Sequence, residues 1–341
     1  EDLRRDPASF VAAGGKVLAC GRDPYFPAWP DVLQLNAFDP GLRSAAVDTV
    51  KQIADQCDGV RCDMAMLMMS DVFERTWGPR AGARPAEDYW TTLIPAVRSR
   101  HPEFRFLAEA YWDLEWALQQ QGFDYTYDKR LYDRLREGYA RPVREHLHAG
   151  LDFQDRLARF LENHDEPRAA ATFPASRHEA AAVLTYMAPG LRFFHQGQFE
   201  GRKARISPHL CRGPEEAADA GVAAFYDRLL AVLRRPAVRD GEWKLLPCGV
   251  AWDGNQTWDN YVAFSWQSGG DDRLVVAVNA GAVHSQGFVR LPFGDLEGGR
   301  WRLEDLLGGA VYVRDGSDLH TWGLFLDEPP WKAQIFALTR A

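Results

Sequence analysis

Three acidic residues each close a short apolar run that is rich in β-prone residues. Asp63 ends Gly-Val-Arg-Cys-Asp at 59–63, Glu109 ends Phe-Leu-Ala-Glu at 106–109, and Asp165 ends Glu-Asn-His-Asp at 162–165. An acid there lies where a strand meets its following loop, and parallel α/β barrels collect their catalytic groups at that edge. One such acid alone is more often a helix cap. The set of three predicts a catalytic site.

The order and local context of these motifs resemble the signature regions of the α-amylase superfamily of glycoside hydrolases (family 13 type). Two further segments, Trp29 to Asn36 and Gly190 to Gly197, also resemble that family. The resemblance implies an α-linked glucan or oligosaccharide substrate and a retaining mechanism with a covalent glycosyl-aspartate intermediate. It assigns Asp63 as the nucleophile, Glu109 as the general acid/base and Asp165 as the third acid. It also implies that Asn163 and His164 bind substrate.

Neighbouring residues fit these roles. Arg61 lies two residues before Asp63, on the same face of the strand, where a cation would keep the nucleophile ionised. Glu109 must carry a proton when the leaving group departs, so we expect burial and nearby acids to raise its pKa. Trp112 and Tyr111 follow Glu109, and a flat ring can pack against the apolar face of a sugar. Arg61, Tyr111 and Trp112 are therefore predicted to bind substrate.

Strands and helices alternate up to about residue 236, which predicts a βα repeat. The predicted strands are 59–63, 104–109, 123–127, 157–163 and 191–196. The predicted helices are 42–56, 86–100, 113–121, 129–147, 176–187 and 214–235. The fold class is therefore α/β, a partial (β/α)8 TIM-type barrel that contains strands four to eight. We predict that residues 1–238 form this catalytic domain.

A different pattern follows Pro236 and the Asp240-Gly241 turn. Short alternating runs separated by turn signals are typical of an antiparallel β-sandwich, which we predict for residues 239–341. The runs are Trp243–Cys248, Tyr261–Trp266, Arg273–Asn279, Gly287–Leu291, Trp301–Leu306 and Lys332–Leu338.

The chain departs from the family pattern at its start. The first family signature is not found, and the chain, which opens with Glu1, is expected to begin in the loop after strand three. The strands around Arg61 and Phe193 would then be exposed barrel edges, which predicts self-association. Two alternatives stay open. One is a transglycosidase on α-glucans, and the other is a catalytically silent truncated chain that binds sugar or a partner supplying the missing half-barrel.

A second departure follows the nucleophile. Many relatives have Lys-His three and four residues after it, where this chain has Met66 and Leu67. The contacts with an acceptor sugar must therefore differ. The methionine-rich run 64–69 is interpreted mainly as core packing, because methionine fills irregular gaps.

Composition excludes several other classes. Forty basic and 48 acidic residues give a net charge of −8, which argues against nucleic acid as a partner. No apolar stretch is long enough for a membrane helix. Five cysteines without a C-x-x-C spacing indicate thiols in a reducing, cytoplasmic compartment, and Cys62 is interpreted as core. His146 and His148 are interpreted as solvated residues at a helix end. No cofactor or metal is predicted, although many relatives bind structural calcium.

Overall fold

The structure, a computed structural model, describes residues 1–174, 176–269 and 272–341. By compactness the chain divides into two units, Glu1–Tyr127 and Asp128–Ala341. The predicted domain boundary between residues 238 and 239 stays a prediction. None of the described helices is long and apolar enough to cross a membrane.

The first unit contains an antiparallel sheet and three parallel strands with their helices. The antiparallel strands are β1 (Phe10–Ala13), β2 (Lys16–Gly21) and β3 (Trp29–Leu33), and the parallel strands are β4 (Gly59–Cys62), β5 (Arg105–Ala108) and β6 (Tyr125–Tyr127). The helices are α1 (Asp2–Arg5), α2 (Pro40–Ala54), α3 (Ser70–Trp77), α4 (Tyr89–Arg98) and α5 (Glu115–Gln120), with 3-10 helices at Ala65–Met68 and Gly78–Ala81.

The parallel register brings the carboxyl ends of β4 and β5 side by side. Cys62 pairs with Ala108, and the Glu109 N–H donates to the carbonyl of Cys62 at 3.0 Å. The residues that follow the two strands, Asp63 and Glu109, therefore leave the sheet at the same edge. Strand β4 lies at an edge of this sheet. Self-association through such an edge stays a prediction.

Aromatic and sulfur-containing side chains fill the core of the first unit. Trp90 on α4 packs edge-on against Phe123 with ring centroids 4.8 Å apart, and its indole N–H donates to the Ala65 carbonyl at 2.8 Å. Met66 and Met69 are buried, which confirms the core interpretation of the methionine run. Cys62 packs against the same core, as expected, and burial raises the pKa of its thiol to about 12.

The second unit contains two parallel strands, eight helices among its described residues, and two antiparallel sheets. The parallel strands are β7 (Leu157–Arg159) and β8 (Leu191–Arg192). The helices are α6 (Lys129–Glu137), α7 (Ala140–His146), α8 (Leu151–Gln154), α9 (Ala169–Thr172), α10 (Ser176–Tyr186), α11 (Ala220–Leu233), α12 (Pro236–Asp240) and α13 (Gly316–Thr321), with a 3-10 helix at Thr257–Asn260. The antiparallel strands are β9 (Glu242–Leu245), β10 (Cys248–Gly249), β11 (Tyr261–Gln267), β12 (Arg273–Asn279), β13 (Ser285–Val289), β14 (Arg300–Asp305), β15 (Val311–Asp315), β16 (Leu324–Glu328) and β17 (Ala333–Arg340).

The antiparallel strands form the predicted β-sandwich. One sheet has the order β15-β14-β17-β12-β11-β9, and the other has the order β10-β13-β16. Val275, Leu303 and Phe336 from the first sheet share one core with Val289 and Leu326 from the second. Burial of these apolar faces holds the two sheets together.

Several elements differ from the sequence prediction. Strands β1, β2, β3, β15 and β16 were not predicted, and the helix predicted over 129–147 is two helices, α6 and α7. Gly138 ends α6 in a left-handed conformation with φ of 80°, and a Cβ atom there would lie 2.8 Å from Arg177 Nη2. The glycine is therefore favoured by its left-handed backbone. The interpretation of His146 as solvated is wrong, because this residue lies beside buried Asp128.

Asp128 and Arg159 form a buried ion pair in the second unit. Arg159 is fully buried on β7, where Nη1 donates to Asp128 and Nε donates to the Pro189 carbonyl at 3.0 Å. The other Asp128 oxygen accepts from the Leu131 N–H at 3.0 Å and caps α6. Burial alone would raise the pKa of Asp128, but the charges of His146 and Arg159 lower it well below its usual range. Asp128 is therefore a carboxylate in the folded state.

We expect Asp128→Asn to lower the free energy of unfolding by about 3–5 kcal/mol at neutral pH, because it leaves the Arg159 charge buried without its partner. The pKa of Asp128 is depressed on folding, so its stabilisation is present above about pH 4 and is lost as the pH falls further. Denaturant unfolding at neutral pH and at about pH 3 should show a smaller difference from the parent at the lower pH. Asp240→Asn, in an exposed pair with Arg239, is the control and should leave stability unchanged.

Candidate active site

One guanidinium group connects the two acids that follow β4 and β5. Arg61 Nη1 contacts Asp63 Oδ1, and Arg61 Nη2 lies 3.0 Å from Glu109 Oε2. Two carboxylates that share one cation can lie close together without uncompensated repulsion. The parallel register and the Arg61 side chain together bring these three predicted residues into one cluster.

The two acids differ in exposure. The Asp63 side chain is 76% exposed, whereas the Glu109 side chain is 4% exposed. Asp63 is therefore accessible to a solute, and Glu109 is largely removed from water.

Glu109 is held by donors from two further residues. Its Oε2 atom accepts from the Met64 N–H at 2.6 Å, and its Oε1 atom accepts from the Tyr111 hydroxyl at 2.8 Å. Burial raises the pKa of Glu109, while the Met64 N–H, the Arg61 charge and the Tyr111 hydroxyl lower it. Burial is the largest of these effects, so the pKa of Glu109 lies above its ordinary value. The raised pKa expected from the sequence is therefore present.

Arg61 is itself fixed from the neighbouring strands. Its Nε atom donates to the Tyr127 hydroxyl at 3.3 Å, and its guanidinium carbon lies 5.7 Å from the centroid of the Tyr127 ring. Burial lowers the pKa of Arg61, but the negative charge of Glu109 raises it, and the pKa ends above its usual value. Arg61 is therefore a permanent cation, and Tyr127 restricts where it can point.

Left-handed backbone shapes the loops after both strands. Met64, directly after Asp63, has φ of 42°, and Trp112 and Asp113 have φ of 63° and 60°. Residues other than glycine rarely adopt this conformation, and it costs free energy that the surrounding contacts must offset. At Met64 the conformation accompanies the short hydrogen bond from its N–H to Glu109.

Trp112 lies beside an aromatic loop of the same unit. Tyr25 packs edge-on against Trp112 with ring centroids 4.8 Å apart, and its hydroxyl accepts from Arg75 Nη1 at 3.1 Å. The buried Asp23 carboxylate accepts from the Tyr25 and Phe26 N–H groups at 2.6 and 2.8 Å. Tyr25 and Phe26 are more than half exposed. This loop therefore presents rings next to the predicted sugar-binding residue Trp112.

The third motif lies in the second unit. The Asn163 side-chain oxygen accepts from the N–H groups of Asp165 and Glu166 at 2.9 and 2.8 Å, so it shapes the turn. His164 Nε2 lies 3.0 Å from Asp165 Oδ2, and these two side chains are 38% and 45% exposed. Asn163 is buried, whereas His164 and Asp165 are accessible to a ligand. The substrate-binding roles predicted for these residues stay predictions.

Three residues with contacts in these clusters were not predicted as site residues. They are Tyr127, Arg168 and His195. Tyr127 contacts Arg61, whereas Arg168 and His195 contact Glu162 and each other. Their signal in the sequence is weak, because the contacts of Tyr127 and His195 join residues that are far apart along the chain, and the Arg168–Glu162 pair is revealed only by the fold. Among the described residues, no group of three or more His, Cys, Asp or Glu side chains is arranged to hold a metal ion.

The parallel βα repeat followed by a β-sandwich is a fold that this chain shares with α-amylases, to which it is also similar in sequence. No family model matches the chain. α-Amylase MalA of Haloarcula japonica is 26% identical over 288 residues, which cover 80% of this chain and 39% of that protein. The chain therefore spans about two fifths of the length of this curated relative.

Solved α-amylase structures share the fold. An Anoxybacillus α-amylase matches with a TM-score of 0.66 at 18% identity, covering 99% of this chain and 72% of that one. A maltogenic α-amylase of Thermotoga neapolitana has a TM-score of 0.65 at 16% identity, covering 99% and 74%. The Geobacillus thermoleovorans α-amylase, solved with acarbose, has a TM-score of 0.65 at 19% identity, covering 99% and 73%. These matches confirm the predicted resemblance and the fold class, a partial (β/α)8 barrel followed by a β-sandwich.

We expect Tyr111→Phe to raise the pKa of Glu109 further, because the hydroxyl that stabilises the carboxylate is removed while the ring is kept. Carbon NMR of the Glu109 carboxyl group across a pH series measures this change. Tyr25→Phe is the matched control, since the Tyr25 hydroxyl accepts from Arg75 in the neighbouring loop. An unchanged or lower pKa of Glu109 in the Tyr111→Phe protein would contradict the hydrogen bond assigned between the Tyr111 hydroxyl and Glu109.

Proposed function

We propose that the chain is an α-amylase-like retaining glycoside hydrolase that acts on α-linked glucans or oligosaccharides. The observation that carries the proposal is the pairing of exposed Asp63 with buried Glu109 on one Arg61 guanidinium. The name of the Haloarcula japonica relative and the acarbose complex of the Geobacillus thermoleovorans enzyme support the substrate class.

A retaining rather than an inverting reaction is proposed from the resemblance to the α-amylase superfamily. Retaining enzymes hold their two carboxyl groups about 5–5.5 Å apart, whereas inverting enzymes separate them by about 6.5–9.5 Å to admit a water molecule. Asp63 and Glu109 both contact one guanidinium, so the two carboxyl groups are neighbours, as a retaining reaction requires.

Asp63 and Glu109 have different roles in the two steps of the reaction. Asp63 attacks the anomeric carbon as the glycosidic bond breaks, and Glu109 gives its proton to the departing oxygen, which leaves a glycosyl ester on Asp63. Glu109 then takes a proton from water, whose oxygen displaces Asp63 and releases the sugar. The raised pKa of Glu109 supports the first proton transfer, and the contact with Arg61 holds the Asp63 side chain in place.

The roles proposed for the third motif, in the second unit, follow from the resemblance to the α-amylase superfamily. Asp165 would accept hydrogen bonds from sugar hydroxyls while positive charge develops on the sugar ring, and His164 would bind the same sugar. The first step is shared with transglycosidases, which use a second sugar instead of water. Met66, one of the two residues at the family's acceptor position, is buried in the core, so it offers that sugar no polar contact.

Asp63→Asn should abolish hydrolysis of maltooligosaccharides, because an amide does not form the glycosyl ester. The matched control is Asp58→Asn, at the opposite end of the same strand and exposed to solvent. A reducing-sugar assay together with a circular dichroism spectrum measures activity and fold. Turnover by Asp63→Asn at the level of Asp58→Asn would remove Asp63 from the mechanism.

Glu109→Gln should slow hydrolysis of maltooligosaccharides by about 10²–10⁴-fold, because their leaving group needs a proton. α-Glucosyl fluoride has a leaving group that needs much less assistance, so its hydrolysis should be much less affected. The ratio of kcat/KM for the two substrates, in the parent and in the variant, is the measurement. Equal losses on both substrates would show that Glu109 is not the acid.

A further inference from the structure

A buried charged cluster lies directly before the Asn-His-Asp motif. Glu162 is 1% exposed, and its Oε1 atom lies 3.1 Å from Arg168 Nη1, while its Oε2 atom accepts from the Ala169 N–H at 2.6 Å. Arg168 is also buried and donates from Nη2 to the Gln196 carbonyl at 2.9 Å. Every partner in this cluster belongs to the second unit.

The ring of His195 contacts this cluster through one nitrogen. His195 Nδ1 lies 2.8 Å from Arg168 Nη1 and 3.3 Å from Glu162 Oε1. Arg168 has no acceptor atom, so at the shorter distance Nδ1 must accept the hydrogen bond. The proton of the neutral ring is then on Nε2, a tautomer assigned from the hydrogen-bond network.

The ring edge of His195 that carries Nε2 lies opposite to its buried partners. Its side chain is 29% exposed, and its Nδ1 edge faces Arg168 and Glu162, which are 5% and 1% exposed. The solvent-accessible fraction therefore belongs to the opposite edge. His195 presents an N–H donor to solvent at the carboxyl end of β8.

The position of the ring is fixed rather than adaptable. The His195 N–H donates to Gln198 Oε1 at 3.2 Å, and the buried Gln198 amide donates to the Tyr186 and Tyr226 hydroxyls at 2.7 and 2.8 Å. Gly197 has φ of 88°, and a Cβ atom there would lie 2.4 Å from Arg168 Nη2. The glycine therefore permits the close approach of the loop to Arg168.

The same edge of the sheet carries the predicted substrate residues. Strands β7 and β8 are parallel, and the Phe193 N–H donates to the Arg159 carbonyl at 2.9 Å, so the loops after both strands leave together. Glu162, which His195 contacts, immediately precedes Asn163 in the loop that ends with His164 and Asp165. The His195 ring thus contacts the start of that loop through Nδ1, and its Nε2 donor lies on the opposite edge of the ring.

We propose that His195 is a substrate-contacting residue whose Nε2–H donates a hydrogen bond to an oxygen of a bound α-linked oligosaccharide. The inference rests on the proposed function and extends its substrate site by a residue of the loop after β8. Arg168 and Glu162 are positioning residues for it. They fix the tautomer and the direction of the ring, which preorganises the donor before substrate arrives.

Two isosteric variants separate this role from a structural one. In His195→Asn the amide oxygen replaces Nδ1 as the acceptor for Arg168, but no donor remains at the position of Nε2. In His195→Gln the longer side chain carries its amide to the position of Nε2. Calorimetric binding of maltotetraose, kcat/KM for maltooligosaccharides and the unfolding temperature are measured for both variants and for the parent.

We expect His195→Asn to bind maltotetraose roughly tenfold more weakly, the effect of one hydrogen bond, with an unchanged unfolding temperature. His195→Gln should recover part of this loss. The proposal is overturned if His195→Asn binds like the parent, if His195→Gln binds no better than His195→Asn, or if weaker binding follows a lower unfolding temperature.

The parent protein distinguishes failure of this inference from failure of the proposed function. A parent that binds maltotetraose without hydrolysing it overturns the proposed activity and leaves the binding comparison at His195 decisive. A parent that neither binds nor hydrolyses overturns both proposals.

Discussion

The Arg61 guanidinium is the contact on which the candidate site depends. It lies between an exposed carboxylate and a buried one, and without it Asp63 and Glu109 would repel each other at the edge of the sheet. Because Arg61 is in turn fixed by Tyr127, three successive parallel strands contribute to its position. The parallel register is therefore as important to the site as the acids themselves, since a shift by one residue would point each side chain to the opposite face.

Pairs of an arginine with a buried carboxylate recur at the carboxyl ends of the parallel strands. Arg61 and Glu109 form one in the first unit, and the Arg159–Asp128 and Arg168–Glu162 pairs lie in the second. In each pair the carboxylate also accepts from a backbone N–H, of Met64, Leu131 or Ala169. Additional hydrogen bonds of this kind offset the cost of removing two charges from water, which attraction alone does not. The loops that carry the predicted site residues are thus fixed by polar contacts.

The sequence predicted those features that have a local signal. The runs that end in Asp63 and Glu109 are apolar and short, and the turn signals near Asp240 precede the sandwich strands, so both patterns were visible along the chain. Strands β1, β3 and β15 were missed because most of their residues are exposed and show no apolar alternation. The buried charges were missed for a different reason. Asp128, Arg159 and Glu162 are residue types that usually lie at the surface, and their partners are distant in sequence or revealed only by the fold.

The backbone donor of Met64 has a consequence for how this site tolerates sequence change. A hydrogen bond from the main chain survives most replacements of the side chain. Substitution at position 64 therefore does not by itself remove the N–H that donates to Glu109. The left-handed φ of 42° narrows the set of tolerated residues in another way. Glycine and asparagine accept that conformation, branched side chains resist it, and proline would lose both the conformation and the N–H. Related chains should therefore carry chemically different side chains at position 64, but only residues whose backbone accepts a left-handed conformation.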